Sequence, residues 1–203
     1  MDEQQLVTRA KSGDFDAFNS LINMHKGRIF ALAARMTGND QDAEDIVQDT
    51  FLKAIDKIDQ FRGESSFGTW LYSIALNESR AAMARQKHTD LAQIEEYLPS
   101  GDLHDSDSAD ANRLFDWDDP HKALENEELR RIIDELIAAL PYKYRAAFVL
   151  RYQEELPIKE VAAIINESEA ATKSRVLRAR LALREKLSKI FEDRYGQGMP
   201  RIH

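Results

Sequence analysis

Between Pro157 and Lys189 the chain reads PIKEVAAIINESEAATKSRVLRARLALREKLSK. A short helix of apolar period comes first, then a polar turn, then a long helix carrying positive charge, which is the layout of a helix-turn-helix reader of DNA. From Thr172 to Lys189 seven basic residues (Lys173, Arg175, Arg178, Arg180, Arg184, Lys186 and Lys189) stand against Glu185, a local charge of +6. The whole chain carries −8, which leaves −14 for the rest of it. Attraction to phosphate is the simplest reason to keep so basic a helix in so acidic a protein.

In that helix Val176, Ala179, Leu183, Leu187 and Ile190 recur at spacings of three and four and form one stripe to be buried. Ser174, Arg178 and Leu181 fall opposite, with Lys173, Arg175 and Leu177 on the flanks. Arg and Lys there can bond guanine edges or phosphates, Ser can bond either, and an exposed leucine can touch a thymine methyl. Ser168 is a good N-cap, and the helix start it defines would turn backbone N–H groups toward phosphate.

The 203 residues suffice for one large domain or two small ones. The absence of cysteine excludes disulfides, thiolate metal sites and cysteine nucleophiles. No basic flank with an apolar run opens the chain, and no stretch approaches the ~18 apolar residues of a membrane span. The expectation is a soluble cytosolic protein with no membrane insertion.

Nearly every periodic segment has the helical period, so the fold is expected to be all-α. Helices are predicted over Asp2 to Lys11, Phe15 to Met36, Gln41 to Ile58, Phe67 to Ala92, His121 to Ala139, Tyr142 to Gln153, Ile158 to Ile165 and Glu169 to Phe191. From Pro99 to Asp119 seven aspartates face a single arginine, Arg113, with no sustained apolar period, which marks an acidic flexible linker of net charge −6. The chain therefore divides into a helical domain over 1–98, the linker over 99–119, a second helical domain over 120–195 and a tail over 196–203.

Two further constellations lie in the first domain. Ala43, Ile46, Val47, Thr50, Phe51, Ala54 and Ile58 share a core-facing side of one helix, while Asp45, Gln48, Asp49, Leu52 and Asp56 share the other. A leucine amid carboxylates suits docking to a basic partner. The next constellation, FRGESSFGTWLYSIALNESRAAMARQK, runs from Phe61 to Lys87. Its helix is expected to bury Leu71, Ile74, Ala75 and Ala81 and to gather Asn77, Arg80, Ala84 and Lys87 on another face. Asn for base edges, Arg and Lys for phosphate, and Phe67, Trp70 and Tyr72 for stacking are ingredients for holding single-stranded DNA. Catalytic patterns are thin: the five histidines are scattered, and no HExxH or glycine-rich phosphate loop occurs. No enzyme, metal or cofactor is expected.

In this order the three constellations resemble a bacterial extracytoplasmic-function (ECF) sigma factor, the smallest type of σ70-family promoter-specificity subunit. DAEDIVQDTFLKAI (Asp42 to Ile55) is similar to the family's core-binding segment, and SSFGTWLYSIALNESR (Ser65 to Arg80) to its promoter-melting segment. LPYKYRAAFVLRYQEELPIKEVA followed by KSRVLRARLALREKL is similar to its −35-reading domain. The resemblance implies a non-catalytic initiation factor whose partners are core RNA polymerase (the β′ clamp and β flap), promoter DNA and an anti-sigma factor. It implies that Asp45, Gln48, Asp49 and Leu52 meet the clamp. The loop from Arg62 to Gly68, including Ser65, Ser66 and Phe67, would capture a flipped −10 base, with Trp70, Asn77 and Arg80 behind it. Lys173, Ser174, Leu177 and Arg178 would enter the −35 major groove, with Arg151 and Arg175 on phosphates. A stand-alone helix-turn-helix regulator and a sigma mimic that titrates a regulator are the alternatives.

The chain departs from the family pattern at the corner of the helix-turn-helix. Asn166 stands where glycine is usual, Glu167 where an apolar residue is usual, and Thr172 where valine is usual, at the azimuth of the buried stripe. Asn tolerates the left-handed conformation, whereas Glu167 and Thr172 are expected to weaken the packing of that turn.

Overall fold

The computed structural model describes residues 2–86 and 126–195, and side chains over 2–85 and 129–190. The linker expected over 99–119, the ends of the two helices flanking it, Lys87 and the tail from 196 lie outside the described residues. Within them every regular element is helical: α1 (Glu3–Lys11), α2 (Phe15–Thr37), α3 (Asp40–Lys57), a 3₁₀ turn (Ile58–Gln60), α4 (Phe67–Gln86), α5 (Asn126–Ala138), α6 (Tyr142–Phe148), a π-helical turn (Val149–Gln153), α7 (Ile158–Ile165) and α8 (Glu169–Tyr195).

Local chemistry sets most of these boundaries. The Asp14 carboxylate accepts the Ala17 N–H (3.0 Å) and starts α2, and Asn39 accepts the Gln41 N–H (2.9 Å) at the start of α3. Gly38 ends α2 at φ 72°, a left-handed cap natural to glycine. Ser66 Oγ accepts the Thr69 N–H (3.0 Å) and starts α4 where the glycine-serine loop ends.

Helix α2 is the centre of the N-terminal half, with α1, α3 and α4 packed around it. Leu21, Ile29, Leu32 and Met36 from α2 meet Leu71 from α4, all fully buried. The seven positions assigned to the core over 43–58 are all buried, six on α3 and Ile58 in the 3₁₀ turn that follows it. Along α4 the prediction needs one correction: Leu71, Ile74 and Ala75 are buried but Ala81 is exposed. Ser79 and Glu78 take the inward positions instead. Ser79 donates to the Ala75 carbonyl (2.8 Å), and Glu78 pairs with Lys53 of α3 (2.6 Å), so two polar residues are buried with partners.

In the C-terminal half α6 packs on α8, and α7 on α8. The helix expected to run unbroken to Gln153 widens after Phe148 into the π-helical turn, where the Glu154 N–H reaches the Val149 carbonyl (3.0 Å). Glu155 then takes a positive φ of 55°. The turn sends Glu154 toward the N-terminal half.

The apolar cluster runs without a break from one half into the other, because α7 lies on α4 and both α5 and α6 reach α2. Polar ties accompany it. Tyr142 donates from its hydroxyl to the Leu76 carbonyl (2.6 Å), and Arg145 donates to the Met36 carbonyl at the end of α2.

Candidate functional site

The helix-turn-helix corner is built as its residues dictate. Asn166 adopts the left-handed conformation (φ 54°, ψ 53°), and the Glu167 N–H closes back on the Ala162 carbonyl (2.9 Å). Ser168 Oγ accepts the Ala171 N–H (3.1 Å) as the N-cap of α8. Thr172 is fully buried at the head of the stripe, where its hydroxyl donates to the Ser168 carbonyl (2.9 Å). The first turn therefore keeps its packing with threonine in place of valine, since the one polar atom it adds is satisfied within the helix.

Val176, Ala179, Ala182 and Leu187 continue the buried side of α8, with Leu183 and Ile190 half-buried. On the outer side Lys173 and Arg178 are exposed, and Ser174, Leu177 and Leu181 are half-exposed. Arg175 differs. It sits on the flank, half-buried, and its guanidinium donates to the Glu167 carboxylate across the corner. Glu167 thus acts as a partner for a recognition-helix cation. Arg151 is half-buried, its guanidinium over the Tyr152 ring (5.9 Å) and donating to the Leu156 carbonyl (3.3 Å).

The second surface is the outer side of α3, where Asp45, Gln48 and Asp56 are exposed and Asp49 is half-buried. Leu52 stands among them 55% exposed, a large apolar side chain left in water. Exposed apolar area ringed by carboxylates has the composition of a docking site.

The third surface is the loop before α4. Arg62, Ser65 and Ser66 are exposed on it, and Asn77 and Arg80 are exposed further along α4. Phe67 is only 3% exposed, packed edge-on against Phe61 (5.6 Å) and beside Trp70 (5.4 Å). Its ring is a floor beneath the loop, and the half-exposed Trp70 is the more accessible ring. His25 from α2 closes the floor from the other side, edge-on to Phe67 (5.7 Å) and paired through Nε2 with Glu3 (2.8 Å). A Cβ at Gly68 would stand 3.1 Å from His25 Cε1, so this close approach favours glycine. Lys11 ties α1 to the loop entrance by donating to the Phe61 carbonyl (2.7 Å).

Tyr72 also differs from the stacking role read from its position. It is buried, and its hydroxyl donates to Glu154 (2.5 Å). Burial and the Glu154 carboxylate push the phenol well above its usual pKa, so it remains a donor. His25, Arg35, Glu154 and Glu160 were not singled out by sequence reasoning. Each acts through contact with a residue distant in the chain, and none lies in a local motif.

Two stretches of the chain match known families. Residues 21–89 match the family described as Sigma-70 region 2, and residues 130–183 match Sigma-70, region 4. The ECF RNA polymerase sigma factor SigW of Bacillus subtilis (strain 168) is 35% identical over 181 residues, covering 89% of this chain and 94% of SigW. The ECF RNA polymerase sigma-E factor of Escherichia coli (strain K12) is 34% identical over 192 residues, covering 92% and 95%. Among solved structures, CnrH in complex with the cytosolic domain of CnrY is similar at a TM-score of 0.62 and 27% identity, covering 93% of this chain and 99% of that one. The sigma factor RpoE in complex with the anti-sigma factor NepR from Bartonella quintana is similar at a TM-score of 0.58 and 26% identity, covering 84% and 96%. Two sigma-70 regions on one all-helical chain define a promoter-specificity subunit of RNA polymerase. The chain belongs to the ECF sigma factors of the sigma-70 family. Its function is to direct transcription initiation, as a non-enzymatic polymerase subunit. No helix among the described residues is long and apolar enough to cross a membrane.

Proposed function

We propose that this sigma factor bridges core polymerase and promoter through the three surfaces above. The α3 stripe of Asp45, Gln48, Asp49 and Leu52 meets the β′ clamp, and the C-terminal domain meets the β flap. The loop residues Arg62, Ser65, Ser66 and Phe67, with Trp70, Asn77 and Arg80, hold the −10 element as it melts. Extruding a base costs a few kcal/mol, offset by pocket contacts and stacking. Lys173, Ser174, Leu177 and Arg178 enter the −35 major groove, with Arg151 and Arg175 toward the backbone. The domain limits are 1–98 and 120–195, joined by the acidic segment over 99–119. The observation that carries this reading is the pairing, on one family member, of an acidic stripe with an exposed leucine and a basic helix-turn-helix face.

An anti-sigma partner is part of the proposal, supported by the complexes that CnrH and RpoE form in the similar structures. Work on polymerase implies a cytoplasmic location. Run-off transcription with purified core polymerase tests the whole: the chain should yield a promoter-specific transcript, and tight binding to DNA alone with no such transcript would favour a stand-alone regulator.

Base reading by α8 makes a narrower test. Arg178→Ala should cost about 1–3 kcal/mol at one −35 position and little elsewhere, measured by competition among single-base variants. Equal weakening on all sequences would recast Arg178 as a phosphate contact. Glu167 supplies another test, because its carboxylate holds Arg175. Glu167→Gln should release one cation to the backbone, tightening binding to any duplex and steepening the slope of log K against log salt by about 0.9. An unchanged slope would mean that Arg175 already leaves Glu167 for phosphate on DNA.

A further inference from the structure

The loop over 62–66 is exposed along its whole length, and its own side chains do little to fix its shape. Gly63 turns it at φ 74°, Arg62 and Glu64 pair at 4.0 Å with both side chains in water, and Ser65 Oγ donates to the Ser66 carbonyl (3.3 Å). An ion pair so exposed is worth little. The loop therefore takes its conformation from its two ends, Phe61 on one side and Phe67 with Gly68 on the other.

Both ends are held from the helices that precede the loop. At the entrance the Lys11 ammonium of α1 donates to the Phe61 carbonyl (2.7 Å). At the exit the buried His25 of α2 lies edge-on to Phe67 (5.7 Å). It also lies against the backbone of Gly68, where a Cβ would stand 3.1 Å from Cε1 and 3.3 Å from Nδ1. Glu3 of α1 orients the ring. Its carboxylate only accepts, so His25 Nε2 carries the hydrogen of their 2.8 Å bond. A flipped ring would turn a carbon toward Glu3 and lose that bond.

Contacts thus run from Glu3 through His25 to the first turn of α4. Phe67 and Gly68 begin that helix, Ser66 Oγ caps it on the Thr69 N–H (3.0 Å), and the Phe67 ring supports Phe61 (5.6 Å) and Trp70 (5.4 Å). Any displacement of the imidazole reaches the loop exit, the cap and the half-exposed Trp70 together. Because His25 is buried beneath the loop, it acts on DNA only through the residues above it.

We infer that His25, oriented by Glu3, is a positioning residue that sets how sharply the loop distinguishes one −10 base from another, a role that rests on the −10 reading of the loop. A pocket discriminates only while its walls are held to a fraction of an ångström, since a loosened wall shifts to admit the wrong base. Neither residue needs to touch the base.

The test uses holoenzyme assembled from purified core polymerase and the full chain, offered a pool of duplex DNA randomised across both promoter elements; the retained molecules are sequenced. His25→Ala should flatten the preference at the most selective −10 position about tenfold, the scale of one good base contact. The −35 preference should stay as in wild type. Glu3→Ala should act in the same direction with a smaller effect, whereas Glu3→Gln, whose amide oxygen still accepts from Nε2, should match wild type. Gly68→Ala should also flatten the −10 preference, because its methyl meets the ring. Combined with His25→Ala it should recover a preference above that of either single variant, the methyl entering space the ring has left.

A wild-type −10 preference in His25→Ala or Glu3→Ala, a Glu3→Gln variant as impaired as Glu3→Ala, or a double variant no better than the singles would each overturn this role. So would an equal loss at both promoter elements, which marks general damage to the fold. If His25→Ala does not fold, the two Glu3 variants decide, since that side chain is 33% exposed and its loss leaves the apolar side of α1 intact. Failure of the −10 reading itself has a different signature: Arg62→Ala and Ser65→Ala, in the loop, would then leave the −10 preference untouched.

Discussion

Asp49→Lys should abolish binding to core polymerase while leaving the fold intact. Asp49 lies in the middle of the α3 stripe, half-buried among Asp45, Gln48 and the exposed Leu52. On the proposed docking of this face, reversal of its charge would remove an attraction to the clamp and place like charges face to face. Truncating one partner of a desolvated interfacial charge pair costs about 2–5 kcal/mol, and reversal adds repulsion, so a loss of a hundredfold or more is expected. The fold has little reason to respond, because Asp49 points away from the core positions Ile46, Thr50 and Ala54. Its spacing from Lys53 is worth only about 0.3–0.5 kcal/mol as a surface pair. Relief of repulsion from Asp45, one turn earlier, offsets part of that. Co-purification with core polymerase and thermal unfolding read the two halves of the prediction. Unchanged co-purification would refute the assignment of this face.

The second large effect is on stability. Arg145 is 4% exposed, and its guanidinium donates to three main-chain carbonyls, those of Met36 at the end of α2, of Ala138 at the end of α5, and of Leu140 (3.0 Å). Helix C-termini leave carbonyls without internal partners, and a cation beside them also meets the negative end of the helix dipole. Burial pushes the pKa of Arg145 below its ordinary value, but an arginine still carries its charge at neutral pH. Arg145→Ala leaves these carbonyls unpaired in a site shaped for a large side chain. At about 1–3 kcal/mol for each buried group left unsatisfied, a total loss of about 3–5 kcal/mol is expected. That corresponds to a drop of about 10 °C or more in Tm for a protein of this size. Arg145→Lys should recover only part of it, since one ammonium cannot span three acceptors as a planar guanidinium does. A loss below about 1 kcal/mol in urea unfolding would mean that water replaces the guanidinium at little cost.

Much of this molecule was legible in its sequence. The core side of α3 follows from spacing alone, its six predicted positions and Ile58 just beyond it being buried. The corner at Asn166 and the Ser168 cap follow from residue types with narrow conformational roles. What the three surfaces would meet on polymerase and promoter comes from the family resemblance, as an expectation. What sequence reading missed has a common cause. Ala81 looked inward by period and is exposed, because the burial of Ser79 and Glu78 depends on an acceptor and on Lys53 of another helix. Tyr142 to Gln153 has an unbroken helical pattern, yet its last five residues form the π-helical turn. Phe67 and Tyr72 belong to a loop and helix suited to stacking, yet both are buried, Phe67 against Phe61 and the distant His25, and Tyr72 with its hydroxyl on the distant Glu154.

The sequence by itself determined the helices, their caps, the basic face of α8 and the acidic stripe of α3. All of these rest on interactions within a few residues, where period, residue type and charge are sufficient. Only the tertiary structure decided that Glu154 and Glu160 lie on Arg35, Tyr72 and Thr69, that Arg145 joins the ends of two helices, and that Glu167 holds Arg175. The polar contacts named between the halves join residues 66 to 119 apart in the chain. Which carboxylate finds which donor at such separations is set by how helices pack, and no local pattern encodes it.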